Sequence, residues 1–107
     1  MDAQALFDAV VDDFLHLHGD AERTQMMGMP CVKANGKLVA GFAPAEEAMV
    51  FKLRDAGVRE QALALEGAHL FDPSRRGRPM TEWVAVPPAH AKQWPSFAEK
   101  ALMSLAG

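Results

Sequence analysis

Residues 31–42 decide the fold of this chain, and they read CVKANGKLVAGF. Asn35-Gly36 at their centre is a strong signal for a two-residue type I′ turn, because both central positions of that turn need a positive φ. Apolar residues flank the turn on both sides, as in two strands that pair with each other. The stretch therefore predicts an antiparallel β-hairpin.

The turn fixes the register of the hairpin, with Ala34 opposite Lys37 and Cys31 opposite Ala40. Residues directly opposite each other in an antiparallel pair point to the same side of the sheet. One predicted face carries Met29, Cys31, Leu38, Ala40 and Phe42, and the other carries Val32, Ala34, Val39 and Gly41. We expect the first, bulkier set to face the core, joined by Met49, Phe51 and Leu53, and the second set, with Val50, to lie on a more open face.

Helices and further strands are predicted on both sides of the hairpin. An apolar stripe with helical spacing covers residues 3–17, and Asp55 is a candidate N-cap for a second helix. A last helix carries Phe97 and Leu102, with Pro95 at its first turn or at a kink in a longer helix from Ala89. The predicted strands are 23–27, 31–34, 37–42, 48–53, 69–71 and 81–86. The predicted fold is α+β, a two-layer arrangement with an antiparallel sheet, helices packed on one side and the order α-β-β-β(β)-α-β-β-α.

Composition bounds the class of protein. The chain has 107 residues, of which 50% are hydrophobic and 23% charged, with a net charge of −3. We therefore expect one domain, residues 1–107, without a membrane partner. A single cysteine, Cys31, excludes an intramolecular disulfide and favours a cytoplasmic location. The first 22 residues contain no Lys or Arg but six acidic residues, Asp2, Asp8, Asp12, Asp13, Asp20 and Glu22. This acidic balance argues against broad nucleic-acid binding.

The best candidate site is an arginine-rich segment between the last two predicted strands. Residues 72–84 read DPSRRGRPMTEWV, and we call residues 72–79 the arginine loop. Prolines restrict its backbone, and arginine offers a planar set of donors to a carboxylate or phosphate. The candidate ligand- or partner-binding residues are Arg75, Arg76, Arg78, Trp83 and Lys37.

The direction of the Trp83 side chain separates two interpretations of this segment. If Val84 and Val86 face the helices, Trp83 points to the other side of the sheet and forms an apolar patch beside the arginines, as in an interface hot spot. In the alternative, Trp83 lies in the core and the arginines are solvated, paired with Glu82 or Asp72.

Several short motifs together resemble the N-terminal domain family of the competence regulator TfoX (Sxy). They are Met26-Met27-Gly28-Met29-Pro30-Cys31-Val32-Lys33, Asn35-Gly36-Lys37, Ala40-Gly41-Phe42, Met49-Val50-Phe51-Lys52-Leu53, Phe71-Asp72-Pro73, Gly77-Arg78-Pro79-Met80 and Glu82-Trp83-Val84. The resemblance implies a small α+β module without an established activity of its own. The family name derives from regulators of competence genes, and a related YjbR-like domain is described as DNA-binding.

The sequence offers no arrangement typical of catalysis or metal binding. Cys31 is expected among apolar side chains, where a thiol is inert. The methionines near it fit core packing better than a copper site. We expect no enzyme activity, no cofactor and no metal. The predicted function is a non-catalytic binding or protein-interaction module, with a homodimer or another protein as partner. The alternative is a nucleic-acid-linked regulator that uses Arg75, Arg76, Arg78 and Lys37.

Overall fold

A computed structural model of the chain describes residues 2–74, 76–77 and 79–105. These residues form helices and strands in the order predicted from the sequence, which confirms the α+β class. The elements are α1 (Ala3–Leu17), β1 (Ala21–Met26), β2 (Met29–Ala34), β3 (Lys37–Ala43), β4 (Ala48–Lys52), α2 (Ala56–Leu63), β5 (His69–Leu70), β6 (Trp83–Val86) and α3 (Trp94–Leu105). A 3₁₀-helical segment, Pro88–Gln93, leads into α3, and Pro95 lies in the first turn of that helix.

Aspartates begin the first two helices. The Asp2 carboxylate accepts a hydrogen bond from the Ala5 amide at 2.8 Å, and the Asp55 carboxylate accepts one from the Val58 amide at 3.0 Å. Each satisfies an amide that has no partner within its helix. The predicted cap at Asp55 is therefore confirmed, and both helices start at a defined residue.

The six strands form one antiparallel sheet in the order β1-β2-β3-β4-β6-β5. All three α-helices pack on the same face, which we call the helix face: α3 lies against β3 and β4, α2 contacts β6, and α1 contacts β1 and α3. The helix face and the helices enclose the main core. Its largest side chains are Phe7, Phe14, Phe42, Met49, Phe51, Leu53, Trp94 and Phe97.

The central hairpin contains a β-bulge that the sequence analysis missed. Lys33 lies opposite Leu38 as predicted, but Val32 lies opposite Ala40, so Val39 is an extra residue in β3. Beyond the bulge every partner shifts by one residue, and Cys31 lies opposite Gly41. The predicted pairing of Cys31 with Ala40 is therefore wrong.

The bulge also corrects the predicted faces. The shift places Val32, Ala34 and Val39 on the helix face together with Ala40 and Phe42. Met29, Cys31 and Leu38, which were expected with Phe42, lie on the opposite face. The sequence pattern correctly placed the larger side chains of β4 in the main core, because β4 has no bulge.

A second tight turn joins β1 to β2. Met27 and Gly28 have φ values of 52° and 77°, and strand β1 ends at Met26. Two consecutive positive φ values are typical of a type I′ turn. The observed strand therefore ends one residue before the end of the predicted strand 23–27. It also begins earlier than predicted, at Ala21.

No helix in the part of the chain that the structure describes combines the length and the apolar character needed to cross a lipid bilayer.

Candidate functional site

The sheet face away from the helices carries its own layer of buried apolar side chains, which we call the second face. It consists of Met29, Cys31, Ala43, Ala48, Val50, Phe71, Trp83 and Ala85, with Met26, Leu38 and Met80 partly buried at its margin. Glycine and alanine occupy much of its centre, so the large rings of Phe71 and Trp83 have room to lie over the strands. The second face is therefore a small second core.

Trp83 belongs to the second face. Val84 and Val86 point into the main core, and strand alternation directs Trp83 to the opposite side, beside Ala85 and Val50. This matches the direction expected in the first interpretation of the segment. The side chain is only 5% exposed, however, so it forms an anchor under the surface rather than an open apolar patch.

Backbone hydrogen bonds close the segment that contains the arginine loop. The Phe71 amide donates to the Trp83 carbonyl at 2.8 Å, the Met80 amide donates to the Phe71 carbonyl at 2.8 Å, and the Trp83 amide donates to the Met80 carbonyl at 2.9 Å. Phe71, just before the loop, and Trp83, at the start of β6, are both buried. The loop is therefore fixed at its base to the second face.

The Asp72 carboxylate organises the interior of the loop. It accepts hydrogen bonds from the Gly77 amide at 2.9 Å and from the Ser74 hydroxyl at 3.0 Å. Gly77 has a φ of 74°, a conformation that glycine adopts without strain. These contacts turn the chain back on itself and leave Arg76 exposed. Arg75 and Arg78, the other predicted arginines of the site, lie outside the described residues.

Lys37 lies apart from the loop. It is exposed at the start of β3 and lines a concavity of about 320 Å³ with Asp20, Asn35 and the end of α3. No described residue of the arginine loop lines that concavity. Among the predicted site residues that the structure describes, Trp83 and Arg76 belong to one segment and Lys37 does not.

A shallow cleft adjoins the base of the loop. Its volume is about 180 Å³, and its lining residues are Met29, Ala43, Pro44, Ala45, Glu46, Phe71, Asp72 and Pro73. On its rim, a Glu46 carboxylate oxygen lies 2.6 Å from His69 Nε2. The cleft has an apolar floor and acidic groups at its edge, with the arginine loop next to it.

The described residues contain no buried polar or charged side chain and no group of three or more His, Cys, Asp or Glu residues that could hold a metal ion. Cys31 is buried as predicted, and desolvation raises the pKa of its thiol, although a hydrogen bond with the backbone of Met26 opposes this shift. A neutral, enclosed thiol is a poor nucleophile.

The expected pairing of the loop arginines with Glu82 or Asp72 falls largely on Arg75 and Arg78, which lie outside the described residues. A Glu82 carboxylate oxygen lies 3.8 Å from Arg54 Nε. Arg76 forms no ion pair with any residue that the structure describes. Its guanidinium is therefore available to solvent or to a ligand.

Comparisons with protein-family models, with curated proteins and with solved structures found no match. The fold and the site define a class of protein: an α+β domain whose sheet has helices on one face and an anchored, arginine-bearing loop on the other. The resemblance to the TfoX N-terminal domain family stays a prediction from the sequence.

Sequence reasoning found the loop but missed the residues that shape it. The motif Phe71-Asp72-Pro73 does not by itself indicate that Asp72 accepts hydrogen bonds inside the loop or that Phe71 anchors it. The signal was present, because aspartate before proline and serine commonly accepts hydrogen bonds from amides a few residues later. The cleft residues between Ala43 and Glu46 gave no comparable signal.

Proposed function

We propose that this protein is a non-catalytic binding module that uses its arginine loop to hold an acidic segment of a protein partner. One observation carries this function: the loop is fixed by buried aromatic anchors and by Asp72, yet it presents Arg76 to solvent. A cytoplasmic setting and membership of the TfoX-like family belong to the same proposal and rest on the sequence.

A fixed loop suits binding because less conformational freedom is lost when a partner docks. The hydrogen bonds from Gly77 to Asp72 and from Met80 to Phe71 already hold the backbone in place. Arginine side chains on such a backbone pair well with carboxylates, since the guanidinium makes two parallel hydrogen bonds to one carboxylate. The apolar cleft beside the loop offers contact area to an adjoining side chain of the partner.

The apolar packing beneath the loop fits a binding surface. Acid–base or nucleophilic chemistry needs a titratable group in a shaped, partly desolvated position. Polar side chains must then hold that titratable group in place, whereas the second face is packed with apolar side chains.

Fluorescence anisotropy with labelled probes tests this function. The probes are a glutamate-rich peptide, a lysine-rich peptide of equal length and a short DNA duplex, each titrated with the protein at low and moderate salt. We expect the glutamate-rich peptide to bind, and Arg76→Glu to weaken that binding by about tenfold, as for loss of a hydrogen bond to a charged group. Lys92→Glu is the matched control, because it changes the charge equally at an exposed position in the segment before α3.

Two results would overturn the proposal. One is an equal loss of peptide binding in Arg76→Glu and Lys92→Glu, which would reduce the effect to net charge. The other is binding of the duplex alone, with a steep dependence on salt, which would favour the nucleic-acid-linked alternative.

A further inference from the structure

Strand β1 is a free edge of the sheet. It runs from Ala21 to Met26 and pairs on one side with β2, whereas its other side has no neighbouring strand among the described residues. At the opposite edge, β5 is only two residues long, His69–Leu70. A long exposed edge is a template for pairing with another chain.

The register of the β1–β2 hairpin identifies the backbone groups that point outward. Met26 and Met29 flank the two-residue turn and form a hydrogen-bonded pair, so every second residue back from Met26 also bonds to β2. The amides and carbonyls of Arg23 and Gln25 therefore point away from the sheet. Ala21 has the same direction, but its amide donates to the His18 carbonyl at 3.0 Å.

The charges on β1 do not shield this edge. The Arg23 guanidinium is turned onto α1, 2.6 Å from an Asp12 carboxylate oxygen and 3.4 Å from one of Asp8. The Glu22 carboxylate pairs with Lys33 on β2 at 3.0 Å. Strand β1 contains no proline, the residue that most directly prevents edge pairing.

An exposed apolar side chain lies at one end of the same strand. Met27, in the turn just after β1, is 66% exposed, whereas Leu17, which is 69% exposed, lines a groove between α1 and α3. Met103 is the other large hydrophobic side chain exposed among the described residues, at 73%, and it lies on α3.

We propose that β1 pairs antiparallel with β1 of a second copy of this chain, joining the sheets across a two-fold axis. Outward-pointing residues must face each other, which leaves a few registers. Centring the axis on Arg23 opposes two arginines, and centring it on Glu22 opposes two glutamates, and like charges in such positions repel. Axes on Thr24 and on Gln25 oppose no like charges, and the Thr24 axis pairs more of the strand, with Arg23 opposite Gln25 of the second copy.

In the Thr24-centred register, the outward groups of both copies are satisfied. Arg23 and Gln25 exchange amide-to-carbonyl hydrogen bonds across the axis in both directions, because they form hydrogen-bonded pairs. The same register brings Met27 opposite Ala21 of the second copy, so this exposed apolar side chain lies at the margin of the interface. The pairing does not depend on the role proposed for the arginine loop.

Sedimentation equilibrium over a wide range of protein concentration tests the pairing. We expect a reversible dimer, with a dissociation constant that Gln25→Pro raises by about a hundredfold, since one outward donor worth roughly tenfold is lost in each copy. Gln25→Ala keeps the amide and is expected to dimerise normally. Because the Gln25 amide is not used in the β1–β2 pairing, the proline variant should keep its far-UV circular dichroism.

A second pair of variants protects the test if Gln25→Pro does not fold. Met27→Glu is expected to weaken the dimer, because it places a charge in the apolar margin of the interface. Met103→Glu changes an equally exposed side chain on α3 and is expected to leave the dimer intact. Arg76→Glu is expected to leave it intact as well, which separates this surface from the proposed peptide site.

Cysteine cross-linking tests the register. Thr24 faces itself across the axis in a non-hydrogen-bonded pair, with a Cα–Cα distance of about 4.5 Å that a disulfide accepts. The background must be Cys31→Ala, because Cys31 lies directly opposite Thr24 within the chain. Thr24→Cys is then expected to form a covalent dimer on oxidation, whereas Arg23→Cys is not.

A monomer at millimolar concentration overturns the proposal, as does a dimer that Gln25→Pro leaves unchanged. Cross-linking at position 23 and not at position 24 contradicts the register. If the protein is monomeric but captures a lysine-rich extended peptide at β1, the edge serves a different partner and pairing between copies is excluded.

Discussion

Gly41 provides a direct test of how tightly the second face is packed. A Cβ atom added to this residue would lie 2.8 Å from Cys31 Sγ, 3.1 Å from the Pro30 carbonyl oxygen and 3.5 Å from Val50 Cγ2. Real Cβ atoms essentially never approach another heavy atom as closely as the first of these distances. The carbonyl oxygen belongs to the backbone of β2 and yields less easily than a side chain would.

We expect Gly41→Ala to destabilise the protein by about 2 kcal/mol, within the usual range of about 1–3 kcal/mol for an overfilled core. For a domain of this size, that corresponds to a fall in Tm of roughly 10 °C. Gly41 does not have a positive φ, so alanine adds no backbone strain there. Gly19→Ala is the matched control, because its Cβ would meet nothing within 4 Å, and we expect a change within about 0.5 kcal/mol.

Urea unfolding of the single and double variants identifies the clash. Cys31→Ala removes the nearest atom and is expected to cost about 1 kcal/mol by itself, through lost burial. The double variant with Gly41→Ala should be destabilised by about 1 kcal/mol less than the sum of the two single variants, because the crowded sulfur atom is gone. Strictly additive costs, or a neutral Gly41→Ala, would refute the packing of Cys31 against Gly41.

Three further predictions concern the loop, a helix cap and the buried thiol. Asp72→Ala removes the acceptor of the Gly77 amide, so that amide should exchange with deuterium at least about tenfold faster, as for loss of one hydrogen bond to a charged group; unchanged exchange would contradict the role of the carboxylate. Asp55→Ala leaves the Val58 amide uncapped and should lower the free energy of unfolding by about 1 kcal/mol in urea titrations, whereas a neutral effect would disprove the cap. Burial raises the pKa of the Cys31 thiol above its ordinary value of 9.0, so its contribution to stability is complete below pH 9.0 and is lost as the pH rises through the folded-state pKa; unfolding at a series of alkaline pH values should show this loss, and Cys31→Ala should lack it.

The sequence predicted the class and order of the fold because its signals were local. Asn35-Gly36 marks a tight turn, Asp55 marks a helix start, and both act within a few residues of themselves. The β-bulge at Val39 could not be read in the same way. It is a property of the pairing of β2 with β3, and the alternation of residues within one strand does not reveal it.

The candidate site was only partly predictable for a related reason. Alternation along β6 gave the direction of Trp83, since Val84 and Val86 plainly belonged to the core. The burial of Trp83 depends on Phe71 and Met80, the residues just before and just after the arginine loop. Both pack against the second face in the folded chain. No pattern within residues 72–84 indicates whether such a loop folds over the sheet or away from it.

The two tryptophans of the chain allow the central claim, that the arginine loop is anchored on a closed second face, to be measured directly. Trp94 is fully buried in the main core and Trp83 is 5% exposed on the second face. Acrylamide quenching of the folded protein should therefore be slow for all of the tryptophan emission, and become fast only on unfolding. A rapidly quenched component in the folded protein that disappears in Trp83→Phe would show an open second face and contradict this account.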